Sequence, residues 1–414
     1  MIITKKEALM RFISIQHRIK KSKEGEARPT MVAIRDGDFL TEHKIETEQD
    51  ELDFVFGRFP TAWRVMVEGE DISHLPKHHI REREKDGHKT LRIPATYDGF
   101  QTGDVVGMVL GGSGDYLACA LSRRAEMLGE GMILRIPPNR LKEKRGGGKK
   151  NNDHELLMRL VQDSSDLFYP VIRKDRDSIR VRESYKDRME AQQARIAAEN
   201  RLRQRFIGQI FLSEEGLYPE GALEDVFKEQ RVNDAIVSSL IKEEKEADKR
   251  LRQAVRRLRV WEEVFEPIEG MGETIAAGII SSVVDIRRFS KASKLVAYCG
   301  AHVLPDGTFP RKRRGVVANW NDVARQSLYL FGDQCVYQAN GRWGKYLRAT
   351  KIRLREWHPE VVVVEGKKRY TNIHIHKMAI WRTLTRFVEW LWREWTKLEA
   401  NNMPPKIHEH KEVA

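Results

Sequence analysis

Residues 268–289 read IEGMGETIAAGIISSVVDIRRF. Gly270-Met271-Gly272 stands before a run of small residues, Ala276-Ala277-Gly278, and Asp285, Arg287 and Arg288 follow it. Two readings compete for this stretch. One is a tight turn that joins two closely packed helices. The other is a helix-hairpin-helix, in which the amides opening the second helix and its dipole hold a phosphate. On the second reading Gly270 and Gly272 supply a turn with positive φ, Ala276–Gly278 admits a close helix neighbour, and Arg287 and Arg288 add charge. Contacts of this kind position a duplex without reading its bases.

Composition weights the second reading. The 414 residues exceed what one compact core holds, so two or three domains are expected. A hydrophobic content of 40% supports globular folding, and the net charge of +13 points to a polyanionic partner. The basic residues cluster. Lys144 and Arg145 run through three glycines into Lys149 and Lys150, and Arg311, Lys312, Arg313 and Arg314 repeat the pattern later. Glycine lets such a loop follow a curved phosphate backbone. Cys119, Cys299 and Cys335 are isolated and lack metal-ligand spacing, which argues against a zinc site or a disulfide framework. The apolar stretch around Ile275–Val284 is far short of a membrane span. With no secretory run after Lys5 and Lys6, the expected location is the cytoplasm, on the nucleoid.

The pattern along the chain predicts an α/β domain over 1–175, a helical arm over 176–262, a mainly helical domain over 263–400 and a flexible tail over 401–414. In the first, Met10–Ile15 reads as a strand, and Met31–Ile34 with Phe39–Ile45 as a hairpin. Residues 48–58 suit a helix burying Leu52, Phe54, Val55 and Phe56, and Arg64–Glu68 suits a strand ending on a carboxylate. Residues 71–104, rich in His, Lys and Glu, read as a surface insertion. A strand at Val105–Leu110, the turn Gly111-Gly112-Ser113-Gly114, a helix at Tyr116–Leu128 and a strand at Met132–Ile136 follow. In the arm, Val237, Leu240, Glu244, Ala247, Leu251, Ala254, Leu258 and Trp261 fall at alternating three- and four-residue steps. That heptad stripe, polar at one position, predicts a coiled-coil seam and self-association into a homo-oligomer. Near the end, Trp381, Leu384, Val388, Leu391 and Trp395 line one helix face, as core packing requires.

Several of these segments together carry a resemblance: Ile268–Phe289, Lys294–Gly300, Arg313-Arg314-Gly315 and His376–Ile380. They are similar to the C-terminal domain of the one-ten family of insertion-sequence transposases, to which the Piv-type DNA invertases are related. That family joins a RuvC-like (RNase H-like) nuclease domain to this domain through a helical arm. The resemblance implies a nuclease half with an Asp on the first strand, a Glu ending a later strand and an Asp-x-x-Asp pair opening a helix. Carboxylates on adjoining strand ends are what a pair of Mg²⁺ ions about 4 Å apart needs to offset its charge.

Carried onto this chain, the resemblance puts Gln16 where the family has its first Asp, and matches Glu68 to the Glu. One alignment of the last pair keeps Asp153 with Lys150 at the other acid; a shifted one uses Asn152 and Glu155. A different strand register brings in Asp36 or Glu70. The family's DNA-joining serine falls between the Gly300 turn and Arg313-Arg314-Gly315, where this chain has Thr308 and no serine. A threonine hydroxyl is a nucleophile, although its methyl group crowds attack on phosphorus.

Three functions follow from these residues. The first is a transposase or site-specific recombinase that binds element DNA, with an element-encoded guide RNA as a further partner, and cleaves and joins strands through Mg²⁺ at Glu68, Asp153 and Glu155 and through Thr308. The second is a nucleic-acid-binding descendant of the same scaffold with strand cleavage lost. The third is a helix-hairpin-helix repair glycosylase using Asp285.

Overall fold

A computed structural model of the chain describes residues 10–18, 28–85, 88–148, 150–216, 219–304, 307–312, 315, 318–364 and 366–400. Lys149, Arg313, Arg314 and the tail 401–414 lie outside the described residues. The chain divides into two compact units, one up to Arg173 and one from Lys174.

The first unit is built on a six-stranded sheet. β1 (Phe12–Gln16), β2 (Thr30–Asp36) and β3 (Phe39–Ile45) form an antiparallel meander. α1 (Glu48–Val55) follows, opened by a capping box between Thr47 and Asp50. The chain then leaves the sheet. β4 (Phe59–Val65), β5 (Arg81–Lys85) and β6 (His88–Asp98) make a separate three-stranded sheet in the order β4-β6-β5. It returns with β7 (Val105–Val109), which pairs parallel to β1, and crosses through α2 (Asp115–Leu128) to β8 (Met132–Ile136), parallel to β7. α3 (Pro138–Arg145), α4 (Asp153–Asp163) and the short antiparallel β9 (Tyr169–Pro170) complete the unit, and the sheet order is β3-β2-β1-β7-β8-β9.

Helices cover both faces of this sheet, which is why β1 and β7 carry apolar or small residues toward both faces rather than alternating with charged ones. On one face Ile13, Ile15, Val106 and Met108 pack with Phe54 of α1 and with Leu117 and Leu121 of α2. On the other, Val105, Leu134 and Ile136 pack with Leu141 of α3 and with Leu157 and Val161 of α4. Two small residues let α4 come close. Ser14, fully buried in β1, donates to the His154 carbonyl at 2.7 Å, and a Cβ at Gly107 would stand 3.0 Å from that of Val161.

Two sequence expectations are corrected in this unit. Leu52 and Phe56 are each 43% exposed, because α1 turns Glu51, Phe54 and Val55 toward the sheet, and Phe56 instead lies beside the guanidinium groups of Arg58 and Arg124. The strand expected to end on Glu68 stops at Val65 and belongs to the three-stranded sheet, with Glu68 exposed in the turn beyond it.

The second unit opens with α5 (Arg173–Phe211), α6 (Leu223–Asn233) and α7 (Ala235–Val255). The heptad residues Val237, Ala247, Leu251, Leu258 and Trp261 are buried, and Leu240 and Ala254 half-buried, as the stripe predicts. Their partner is this chain's own α5. Val237 clusters with Ala198, Leu202 and Phe206, Leu251 with Val181 and Tyr185, and the polar position Glu244 pairs with Arg195. The stripe therefore closes a helical hairpin within the chain.

A π-helical turn at Trp261–Phe265 leads into α8 (Glu273–Val283), α9 (Ala292–Tyr298), α10 (Asp322–Tyr337), α11 (Arg342–Trp357), a small hairpin of β10 (Val362–Val364) and β11 (Lys367–Arg369), and α12 (Asn372–Ala400). Leu384, Val388, Leu391 and Trp395 of α12 are buried in one large core with α7 to α11.

Arg287, expected to contact phosphate, is locked inside this unit. Its side chain is 7% exposed and bonds both Asp285, after α8, and Asp175, in α5, each at 2.6 Å. Burial works against its charge, and the two carboxylates outweigh that effect and hold the guanidinium above its ordinary range. The pairing equally accounts for Asp285, which is buried and occupied rather than free to act on a base. Removing one member of a buried ionic group strands the others, at a cost of about 3–5 kcal/mol. Arg287→Met should lose roughly that much in urea denaturation while leaving DNA affinity per folded molecule unchanged; an intact stability with weakened binding would reverse this assignment.

Candidate nucleic-acid interface

The parallel pairing of β1 with β7 (Ile15 opposite Met108) fixes what can meet Gln16. Beyond Val109 the chain reads Leu110-Gly111-Gly112-Ser113, with no carboxylate. Glu68 is not at this sheet end, since β4 is not a strand of this sheet. Asp36 faces the opposite end of β1, because Arg35 is level with Phe12 and Met31 with Gln16. Glu70 accepts two bonds from Arg64 and one from the Val67 amide, and these hold its carboxyl down to about 2. It too lies beyond β4.

The groups that do meet Gln16 are neutral or cationic. Its amide nitrogen donates to the Lys150 carbonyl at 2.7 Å, and its oxygen lies 3.3 Å from His154 Nδ1. Asp153, the first residue of α4, receives two parallel bonds from Arg145, each at 2.6 Å. Glu155 is exposed and shares a cleft of about 330 Å³ with Asp153, Lys144, Arg145 and Arg159. The neighbouring carboxylate, Glu51 of α1, lies 3.0 Å from His17 Nε2 and accepts from Thr30 at 2.9 Å. Burial pushes the Glu51 carboxyl up, and the bonds and charge of His17, Thr30 and Arg18 outweigh that and hold it below the ordinary range. Asp153 and Glu51 thus each carry an organic partner, and Glu155 faces solvent. Mg²⁺ needs several free oxygen ligands in near-octahedral array. One amide, one arginine-clamped Asp and one solvated Glu do not fit a pair of such ions.

The Gly270 turn packs closely against the end of α10. Gly270 takes φ +82°, and a Cβ there would stand 3.0 Å from Gln334 on α10 and from Gln338, the residue that caps it. Gly272 is exposed and extended, with φ −74°, so it needs no positive φ. The amides of Ile275 and Ala276 donate to the Gly272 carbonyl at 3.1 Å. The first helical residue, Glu273, sets a carboxylate at the end where a phosphate would bind, and Arg256 donates to it at 2.9 Å. Arg288 donates to the Val283 carbonyl and lies over Phe289 and Tyr298. Neither arginine of the motif projects freely toward a ligand.

A basic groove of about 1040 Å³ lies elsewhere in the same unit. It is lined by the segment after α9 (His302, Thr308, Arg311, Lys312), by Asn319 and Trp320, by Lys368 and Arg369 of β11, and by His374 and Lys377 of α12. Five of its described lining residues are lysine or arginine and none is a carboxylate. Lys312 reaches out to Asp322 at 2.7 Å. Arg325 braces the wall, donating to the Pro310 carbonyl at 2.6 Å and lying over Trp320 and Trp381. Burial and the charges of Arg311, Arg369 and Lys377 hold the His374 imidazole below its ordinary range. Thr308 is half-buried in this groove.

Of the basic residues singled out from sequence, Arg311 and Lys312 line the groove, Lys144 and Lys150 are exposed in the first unit, and Arg145 is taken up by Asp153. Lys368, Arg369 and Lys377 were not anticipated. The legible signal for them was Lys367-Lys368-Arg369 beside His374-Ile375-His376-Lys377, with no acid between.

No membrane-crossing helix is present among the described residues. No curated protein matches the chain. A family model does: residues 262–348 match the Transposase IS116/IS110/IS902 family, a segment that runs from the π-helical turn into α11 and carries the Thr308–Lys312 wall of the groove. The resemblance read from sequence is borne out over this segment, which is similar to the transposases of the IS116/IS110/IS902 family.

Proposed function

We propose that this chain is a nucleic-acid-binding member of the transposase family whose nuclease-type unit has given up Mg²⁺-dependent strand cleavage. The observation that carries the proposal is the charge at the two places where the family's chemistry would sit. The sheet end at Gln16 offers an amide, an arginine-clamped Asp153 and a solvated Glu155, while the groove at Thr308 has five lysines and arginines, one of them paired outward with Asp322, and no carboxylate among its described lining residues. The sheet order, with an antiparallel meander followed by two parallel strands and helices on both faces, supports a RuvC/RNase H-like origin for the first unit. The groove offers lysine, arginine and imidazole groups suited to phosphate and sugar rather than to base edges. Element DNA and a structured element-encoded RNA therefore engage it through the same backbone contacts, and a nucleoid location follows.

About five phosphate contacts give a slope near −4.5 in log affinity against log salt, or a loss of about two to three orders of magnitude between 50 and 200 mM. Fluorescence anisotropy on duplex DNA should show this, and Lys368→Ala and Lys377→Ala should each lower the slope by about one. Binding that ignores salt would overturn the proposal.

His374 supplies a second readout. Its free imidazole titrates below the ordinary 6.5, and a bound phosphate raises it, so binding takes up a proton. Affinity should therefore rise as pH falls through and below 6.5, and His374→Gln should flatten that rise.

Thr308, placed in the groove, favours a second reading in which joining chemistry survives. Incubation with Mg²⁺ and element-end duplexes distinguishes the two. Binding without nicked or joined product is the expected result; a Mg²⁺-dependent product abolished by Thr308→Ala and Asp153→Asn would establish an active transposase instead.

A further inference from the structure

The excursion between β4 and β5 brings two adjacent histidines onto a buried carboxylate. His78 and His79 end a single 3-10 turn, Lys77–His79, and both direct Nε2 at the same oxygen of Asp53 on α1, at 2.8 and 3.0 Å. Asp53 is 1% exposed and His79 2%, while the His78 side chain is 38% exposed and opens one side to solvent. The three ligand atoms lie within 4.8 Å of one another. Arg58 donates to the other oxygen of Asp53 at 3.1 Å, which orients the carboxylate and leaves Oδ2 to the histidines. The Tyr97 hydroxyl stands 3.5 Å from His79 Nδ1 on the far side of that ring.

We propose that Asp53, His78 and His79 bind a divalent cation of the zinc class. Two imidazole nitrogens and one carboxylate oxygen are borderline ligands of the kind Zn²⁺ takes, with water in the fourth position. Bond lengths of about 2.0–2.2 Å in a tetrahedral site set ligand atoms about 3.3 Å apart, a few tenths of an ångström wider than the two Asp53–His distances here. Arg58 and Tyr97 occupy the outer positions from which hydrogen-bonding groups orient metal ligands. The two histidines belong to the insertion that carries the three-stranded sheet, and Asp53 belongs to the helix on the six-stranded sheet. A bound cation would fasten one to the other within the first unit. This site is separate from the sheet end at Gln16 and from the basic groove, and it does not depend on the nucleic-acid reading.

The test uses the full chain, stripped of metal and then reconstituted with Zn²⁺ or Co²⁺. We expect one equivalent retained after dialysis against metal-free buffer, a visible Co²⁺ absorption band, and a raised melting temperature. The double variant His78→Gln/His79→Gln should lose the equivalent, the band and the shift, while matching metal-free wild type in circular dichroism. His78→Ala, at the exposed ligand, gives the same readout if the double variant fails to fold. Arg58→Gln should keep the equivalent with affinity lowered about 10–100-fold. No stoichiometric uptake by the wild-type chain, or equal uptake by the histidine variants, would overturn the site and leave a hydrogen-bonded Asp–His–His cluster.

Discussion

The pairing of β1 with its two neighbours governs the first unit. β1 is antiparallel to β2 on one side and parallel to β7 on the other, with Ile15 set between Val32 and Met108. Side-chain period in a strand is two, so this register decides both which residues are buried and which meet at the strand's end. A chemistry that needs charges from adjoining strand ends is then limited to Gln16, the residues just past Val109, and whatever α4 presents from above. The last of these is Asp153, and Arg145 reaches it first with a fork of two bonds. An Arg–carboxylate pair of that geometry is among the stronger polar contacts a protein makes. A metal would have to displace a guanidinium from the Asp as well as do without a charge at Gln16.

The amino-acid pattern made the strands and helices legible and hid their partners. Phe12–Ile15 and Val105–Met108 are made of apolar and small residues, which marks buried strands but does not say which strand lies beside which. Arg64–Val67 looked equally suited to the main sheet, and its assignment to the smaller one rests on pairing with β6, more than 25 residues further on. The heptad stripe from Val237 to Trp261 was legible as a seam for the same reason, yet a seam reads alike whether its partner is a second copy or α5 of the same chain. Leu52 and Phe56 show the limit on a smaller scale. In a helix of eight residues the face toward the sheet is set by the hairpin before it, and here that face takes Glu51 and leaves two large apolar side chains outside.

Charge was the least legible property, because composition does not distinguish a consumed cation from a free one. Arg11, Arg135, Arg145 and Arg287 each sit against one or more carboxylates with little exposure. Guanidinium is the group suited to that role, being planar, weakly hydrated and matched to a carboxylate's two oxygens. An Arg-Arg dipeptide after a glycine turn is therefore weak ground for a phosphate site. A better guide is a cluster of lysines, arginines and histidines with no acid between them, as from Lys367 to Lys377.

The groove's charge also sets the state of its own imidazole. Arg311, Arg369 and Lys377 act on His374 before any ligand arrives, and together with burial they keep it neutral near pH 7. A phosphate bridging those cations cancels the field that depresses the imidazole, so the ring gains a proton as the anion enters and adds a charge-assisted hydrogen bond to the contact. Cations fixed in place give affinity at every pH, whereas His374 adds its share when an anion is present. The same electrostatics bears on the first unit with opposite sign. There Asp153 and Glu51 are already bonded to Arg145 and His17, which leaves Glu155 as the solvated carboxylate beside them. The two units were built with separate cores, and loss of charge at one therefore leaves the packing that supports the other untouched. On the proposed function, binding without cleavage is what such separate cores permit.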